Sequence, residues 1–194
     1  MGKAKFVGIG IGVFFLMLVI MGGLLYYSYT QINVELDTVS FHSIDLVNIT
    51  FSTLVNLGLQ AISGDWLGAA INLVDGVNLN LFFGLTNNGL VPVYIPDLSY
   101  DLLVNDVNVG AGYTTVDATI YPGDDKEILI VQNFQKSGLS PVISSIISND
   151  GVMQITVKGT AYFGILGFNI PVSFESVQQI SIKDEIENKI NSLS

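Results

Sequence analysis

Few residues in this chain of 194 could carry hydrolytic chemistry. A serine or cysteine hydrolase needs a base beside its nucleophile, yet the chain has no cysteine and a single histidine, His42. His42 follows Phe41 at the predicted end of a strand, which is typical of an ordinary surface histidine. We therefore predict that the protein is not an enzyme of this kind, and no motif indicates a cofactor.

Carboxylates allow two further hypotheses. Asp124, Asp125 and Glu127 are close in sequence, and grouped carboxylate oxygens are the ligands that calcium prefers. A solvated turn is the alternative that we favour, because no loop has EF-hand spacing. Asp101 and Asp117 could form the carboxylate pair of a glycosidase. Whether they do depends on the distance between the two carboxylates in the folded protein. A zinc site is nearly excluded, since cysteine is absent.

Alternating glycines occupy positions 8, 10 and 12. They match a nucleotide-binding loop only superficially, because no strand precedes them. Gly8 and Gly12 are four residues apart, so on a helix they would form a small-residue stripe along which two membrane helices can pair. A plain membrane anchor without pairing remains the alternative.

The element that contains these glycines is a predicted membrane anchor. No charged residue occurs between Phe6 and Val34, and Lys3 and Lys5 precede the stretch. About 20 apolar residues cross a bilayer core of roughly 30 Å. The two lysines predict a single-pass protein of the cell membrane, with a cytoplasmic amino terminus and an outside carboxyl-terminal domain. A cleaved signal peptide is the competing interpretation, although its apolar core is usually shorter.

Charge limits the partners of the outer domain. Beyond the anchor, seventeen carboxylates oppose five lysines, and the formal net charge of the whole chain is −10. This field repels phosphate, so we predict no nucleic-acid partner. Three kinds of partner remain open. They are a lipid, another subunit of a membrane or surface assembly, and a second copy of the chain. Asn48 begins the glycosylation sequon Asn48-Ile49-Thr50. The absence of disulfides from an outer domain favours a prokaryotic host, with an archaeon as one alternative.

Apolar and polar residues alternate along several segments, which predicts half-buried strands. The clearest is Val77 to Leu85, and turn residues separate it from similar runs later in the chain. We expect a mainly β fold, an antiparallel β-sandwich. The apolar positions of the other runs are Tyr100, Leu102 and Val104; Ile128 and Ile130; Met153, Ile155 and Val157; and Ile170, Val172 and Phe174.

Three segments have helical spacing instead. Ser140 and Pro141 predict an N-cap and first residue of a short helix that stops at Asn149-Asp150-Gly151. Residues 183–193 predict a terminal helix that either frays or docks weakly. Residues 65–74 predict a helix whose side chains either plug the core or, if the helix lies across an open end of the sandwich, line an apolar cleft. The candidate cleft residues are Trp66, Leu67 and Ile71.

A longer pattern resembles a known family. Thr86-Asn87-Asn88-Gly89 with Pro92 and Pro96, followed by Tyr100-Asp101-Leu102-Leu103-Val104, is similar to the core of the water-stress and hypersensitive-response (WHy) domain, the late embryogenesis abundant (LEA) group 2 family. Residues 152–161 and 170–174 resemble its second half. The usual Asn-Pro-Asn bend lacks its proline here. The resemblance implies an often membrane-anchored β-sandwich that is associated with desiccation or stress tolerance and has no assigned catalytic site.

These observations predict three regions. Residues 1–33 form the cytoplasmic tail, the anchor and a short stalk at Tyr29 to Asn33; residues 34–182 form the WHy-like sandwich; and residues 183–194 form a terminal helix or tail. We expect a non-enzymatic module for stress protection or binding in the cell envelope. The alternatives are a structural subunit of a surface or membrane assembly, and a lipid-binding domain with an apolar groove between its sheets.

Overall fold

Long strands make up most of the chain, which a computed structural model describes at residues 3–47, 66–165 and 167–191. The strands are β1 (Ile32–Leu46), β2 (Val74–Asn87), β3 (Val93–Val104), β4 (Val107–Ile120), β5 (Asp125–Gln135), β6 (Val152–Ile165) and β7 (Phe168–Ser181). The helices are α1 (Lys3–Thr30), α2 (Trp66–Asn72), α3 (Lys136–Leu139), α4 (Ile143–Ser148) and α5 (Ile182–Asn191), and a 3-10 turn (Ser140–Val142) lies between α3 and α4.

The strands form two antiparallel sheets that pack face to face. Sheet A has the order β1-β2-β5, and sheet B has the order β4-β3-β6-β7. The alternation along β2 explains the packing, because its odd-numbered positions from Val77 to Leu85 are buried while Asn78 and Asn80 lie on the other face. The predicted antiparallel sandwich is confirmed.

Side chains of β7 close one side of the sandwich, where edge strands β1 and β7 meet. The Leu36 amide donates to Ser176 Oγ over 3.0 Å. Gln178 Nε2 donates to the carbonyls of Leu36 and Asp37, each over 3.1 Å. Asp37 is the extra residue of a β-bulge in β1, so these bonds satisfy backbone groups that a bulge leaves unpaired.

Glycines on the inner face of sheet B make room for aromatic rings. A Cβ at Gly112 would collide with the ring of Tyr100, and one at Gly159 would collide with the ring of Phe174. Both rings pack on Phe83 of sheet A, with centroids 5.6 Å and 5.8 Å from that of Phe83. The aromatic cluster therefore depends on the absence of side chains at two strand positions.

Helices cover the end of the sandwich where β2 and β6 begin. The predicted helix start at Ser140 is wrong, because helical structure begins at Lys136 and Pro141 lies in the 3-10 turn. The predicted stop is confirmed, since α4 ends at Ser148 and Gly151 has a φ of +84°. Helix α5 buries Ile182 and Ile186 and so docks firmly on this end.

The opposite end of the sandwich receives α1. Helix α1 ends at Thr30 and β1 begins at Ile32, so a single residue, Gln31, stands where the sequence predicts a short stalk. The reason is that the helix end packs on the sandwich, as Leu25 contacts the core. Within the part of the chain that the structure describes, one helix, at Gly12–Thr30 of α1, is long and apolar enough to cross a membrane.

Candidate functional site

The residues that could carry hydrolytic chemistry lie apart. His42 is the exposed extra residue of a second bulge in β1. Asp101 pairs with Ala111 across β3 and β4, and Asp117 lies six residues beyond Ala111 on β4. At 3.4 Å per residue the two carboxylates are about 20 Å apart, whereas glycosidases need roughly 5–9.5 Å. The structure therefore does not bring this pair together.

The acidic turn offers no cation site. Asp124 lies between β4 and β5, and Asp125 and Glu127 are exposed on β5. Among the described residues, no three His, Cys, Asp or Glu side chains are grouped so that they could hold a metal ion. All three carboxylates are exposed to solvent, Asp124 in the turn and the other two on β5.

The three residues of the candidate cleft come together at the helix-covered end. Leu67 and Ile71 are only 7% and 4% exposed, so they plug the core instead of lining an open wall. Trp66 is partly buried, and Lys183 Nζ lies 5.9 Å from the centroid of its ring. Asp150 accepts hydrogen bonds from Lys183 at 2.9 Å and 3.0 Å and thereby raises the pKa of that lysine. A role of Trp66 in lining a cleft stays a prediction.

Two predicted sites concern modification and pairing. Asn48 lies outside the described residues. Gly8 and Gly12 are both in α1, and no atom lies within 4 Å of a Cβ placed at Gly12. The glycines are therefore part of a helix and not of a nucleotide loop, and pairing along them stays a prediction.

The end of α1 is built into the sandwich through a set of contacts that we call the junction. Ser28 is fully buried, and its Oγ accepts a hydrogen bond of 2.9 Å from the amide of Leu90. The amide of Asn88 donates to the carbonyl of Gln31 over 3.1 Å. Gly89 packs so closely on Ser28 that a Cβ at Gly89 would lie 2.9 Å from its Cα. The junction thus joins the helix to the segment between β2 and β3.

Asn87 holds the two loops of this end together. Its side chain is 1% exposed. Nδ2 donates to the carbonyls of Val91 and Ile120, each over 3.0 Å, and Oδ1 accepts from the amide of Gly89 over 2.9 Å. The backbone of Asn87 makes two further hydrogen bonds. Its carbonyl accepts from the amide of Gly123 over 2.7 Å, and its amide donates to the carbonyl of Asp124 over 3.1 Å. We call residues 88–92 and 121–124, which Asn87 links, the loop end of the sandwich.

Exposed apolar side chains mark the loop end. Leu90 is 57% exposed and Tyr121 is 59% exposed. Nearby on sheet B, Tyr94 donates a hydrogen bond of 2.8 Å to Asp117, which raises the pKa of the Tyr94 hydroxyl. The loop end therefore presents one leucine and one tyrosine beside the end of the apolar helix.

Sequence reasoning missed Ser28 and the linking role of Asn87. A signal for Ser28 exists, since it is a polar residue within a tyrosine-rich end of an otherwise apolar helix. For Asn87 the signal is its place at the start of a bend that resembles the WHy pattern. Neither signal identifies the partner, because the contacts of Ser28 and Asn87 join segments about 30 to 60 residues apart.

Comparison with known proteins gives the fold without a family. No family model matches the chain, and no curated protein matches it. A protein of Arabidopsis thaliana, solved in solution, is 12% identical with a TM-score of 0.51, over 77% of this chain and 80% of that one. At this identity the likeness supports the β-sandwich fold alone.

Two weaker likenesses accompany it. A protein from Archaeoglobus fulgidus, solved by crystallography, is 16% identical with a TM-score of 0.45, over 76% of this chain and 98% of that one. A candidate LEA protein, solved in solution, is 15% identical with a TM-score of 0.37, over 94% and 92% of the two chains.

Proposed function

We propose that the chain is a non-enzymatic, single-pass membrane protein that holds an LEA-type β-sandwich outside the cytoplasm, as a protective or binding module of the cell envelope. The junction is the observation that carries the proposal. It makes the end of an apolar helix part of the folded domain, so that the domain stands directly on the segment that would cross the bilayer.

The surface of α1 supports the membrane assignment. Large apolar side chains from Val13 to Leu24 are exposed, including Phe14, Phe15 and Leu16 at 59–60%. Such a continuous apolar surface is rare on monomeric soluble proteins. The span Gly12–Thr30 has 19 residues, or about 28 Å of helix, which matches the roughly 30 Å core of a bilayer.

The junction also favours a retained anchor over a cleaved signal. Ser28 is buried against Leu90, and Leu25 packs on the core. Cleavage after the apolar stretch would remove these contacts, and it would leave the Leu90 amide without its hydrogen-bond acceptor. A segment that is discarded after export has no need of such contacts.

Cysteine labelling tests the topology, because the chain has no cysteine of its own. Single variants Lys3→Cys and Tyr113→Cys would be treated in intact cells with a membrane-impermeant maleimide. Tyr113 is 68% exposed on sheet B. We expect labelling of Tyr113→Cys in intact cells and of Lys3→Cys only after lysis. The reverse pattern would refute the orientation, and an intact mass lacking the first residues of α1 would refute the retained anchor.

A specific feature favours the alternative of an assembly subunit. Phe82 pairs with Leu129 on the outer face of sheet A, and Val131, two residues further along β5, is 50% exposed. Together they form an apolar patch that spans the central strand β2 and the edge strand β5. Native mass spectrometry of the full-length protein in mild detergent separates the two proposals. A monomer of 20.9 kDa supports the autonomous module, and a complex that splits into repeated or other chains supports the subunit.

The lipid-binding alternative requires an apolar groove between the sheets. The facing positions there are filled by buried side chains, among them Leu81 and Phe83 of sheet A and Leu98 and Phe163 of sheet B, all without exposed surface. No observation on the described residues favours a lipid held inside the sandwich.

A further inference from the structure

We infer that the loop end is a second membrane contact, in which Leu90 and Tyr121 lie in the headgroup region of the leaflet from which α1 emerges. The inference rests on the proposed function, since it requires α1 to cross the bilayer. It adds that the sandwich does not stand clear of the membrane but touches it with a defined surface.

The depth of the loop end follows from the helix. The apolar span ends at Thr30, and Tyr26 and Tyr27 near its end are 71% and 48% exposed. Tyrosine prefers the headgroup level of a bilayer, where its ring is apolar and its hydroxyl is hydrated. Ser28 belongs to the same helical turn and bonds the Leu90 amide over 2.9 Å. The backbone of Leu90 is therefore at the headgroup level as well.

The second loop is held at the same level by Asn87. Its Nδ2 bonds the carbonyl of Ile120 over 3.0 Å, and Tyr121 is the next residue. The backbone carbonyl of Asn87 accepts the amide of Gly123 over 2.7 Å. Because the Asn87 side chain also bonds Gly89 and Val91, the two loops cannot separate without breaking buried hydrogen bonds. The backbones of Leu90 and Tyr121 are therefore held at the same end of the sandwich.

The chemistry of the surface selects the kind of lipid. A leucine and a tyrosine in adjoining loops suit the boundary between headgroups and acyl chains, where exposed apolar side chains gain by leaving water. Asp124 and Asp125, three and four residues after Tyr121, are exposed, so anionic headgroups would be repelled. The predicted partner is a surface of zwitterionic or uncharged lipid in the same membrane that holds α1.

Site-specific quenching tests the inference on the full-length protein. Leu90→Cys, Tyr121→Cys, Leu24→Cys and Asp106→Cys would each carry a bimane label in phosphatidylcholine nanodiscs, with some lipids bearing a nitroxide at the headgroup. Leu24 is exposed within α1, and Asp106 is exposed in the β3–β4 turn at the opposite end of the sandwich. We expect the nitroxide to quench labels at 90 and 121 at least twofold more than the label at 106.

The reference positions separate the two proposals. If labels at 90 and 121 behave like the label at 106 while the label at 24 is quenched, α1 is in the membrane and the second contact is refuted. If the label at 24 is not quenched either, the membrane anchor itself is refuted. Quenching at 24, 90 and 121 but not at 106 supports both.

A charge substitution gives an independent readout. Leu90→Asp adds a carboxylate to the surface and should reduce the quenching of a label at 121 at least twofold, because α1 and the sandwich, joined by the junction, tilt together so that the loop end leaves the lipid. The matched control is Leu129→Asp, which changes an equally exposed leucine on the outer face of sheet A. Equal quenching at 121 in both variants would overturn the inference.

Discussion

Replacing Asn87 by alanine should destabilise the sandwich by about 3 kcal/mol. The change removes three hydrogen bonds of 2.9–3.0 Å from a side chain that is 1% exposed. Each bond contributes a net of about 0.5–1.5 kcal/mol, and each buried partner left unpaired costs about 1–3 kcal/mol. Three unpaired partners at about 1 kcal/mol each, the lower end of that range, give the total of about 3 kcal/mol. The lower end applies because Val91 is partly exposed and water can reach its carbonyl.

Asn87→Asp separates the donor from the acceptor. Aspartate keeps an oxygen to accept the Gly89 amide, but its second oxygen faces the carbonyls of Val91 and Ile120 and cannot donate to them. The variant should be at least as unstable as Asn87→Ala at pH 7. Its deficit relative to the natural protein should shrink as the pH falls and the introduced carboxyl gains a proton, because the protonated group can donate one bond.

Urea unfolding of the full-length protein in mild detergent measures these effects. Trp66 is the single tryptophan and is partly buried, so its fluorescence reports unfolding of the sandwich. Asn88→Ala is the control, since it makes the same change at an exposed side chain one residue further and should shift the free energy of unfolding by less than about 0.5 kcal/mol. Unfolding free energies of Asn87→Ala and Asn88→Ala within about 1 kcal/mol of each other would refute the linking role of Asn87.

Three further outcomes are expected in the same assay. Gly112→Ala should destabilise the sandwich by more than about 2 kcal/mol, because the added methyl group collides with the buried ring of Tyr100. In the control Gly138→Ala, in α3, the added methyl group meets no atom within 4 Å, and the variant should be more stable by about 0.5–1 kcal/mol. Changes of equal sign in the two variants would contradict the packing argument. Burial raises the pKa of Tyr100, so its contribution to stability is full below pH about 10, the unfolded pKa of tyrosine, and is lost as the pH rises through the folded pKa. Tyr100→Phe should remove this part of the alkaline loss of stability. An unchanged alkaline profile in that variant would count against the role of Tyr100. Gln178→Ala should lower the free energy of unfolding by about 1–2 kcal/mol, because two backbone carbonyls of the β1 bulge lose their hydrogen bonds. The control Gln179→Ala, at an exposed neighbouring position, should lower it by less than about 0.5 kcal/mol. Equal losses of stability in the two variants would exclude a role of Gln178 in closing the sandwich.

The strands could be predicted from sequence because their signal is local. The alternation of apolar and polar residues from Val77 to Leu85 predicts which face of the strand is buried. Asn105-Asp106 predicts a tight turn, and the two residues have φ values of 48° and 66°. The sheet order and the closure of the β1 edge by Gln178 could not be predicted in this way. The sheet order depends on pairs such as Leu102 with Val157, and the closure depends on residues about 140 positions apart. No period in the sequence encodes such contacts.

The candidate site was less predictable than the fold. Chemistry-bearing residue types led to Asp101 and Asp117, which the strand register then separated. The residues that matter at the junction, Ser28 and Leu90, are ordinary in sequence, because their role comes from the place where the chain brings them together. The predicted stalk at Tyr29 to Asn33 failed for the same reason, since helix end and first strand are joined by contacts with a distant loop.

The absence of a stalk limits how far the protein reaches from the bilayer. If α1 crosses the membrane as proposed, the junction fixes the start of β1 at the headgroup level, and the sandwich rises by the length of its strands. Strand β2 has 14 residues, or about 46 Å. The helix-covered end with Trp66 therefore lies no more than about 50 Å above the membrane and cannot swing away while the Ser28–Leu90 bond holds. Whatever this module protects or binds must therefore come within that layer.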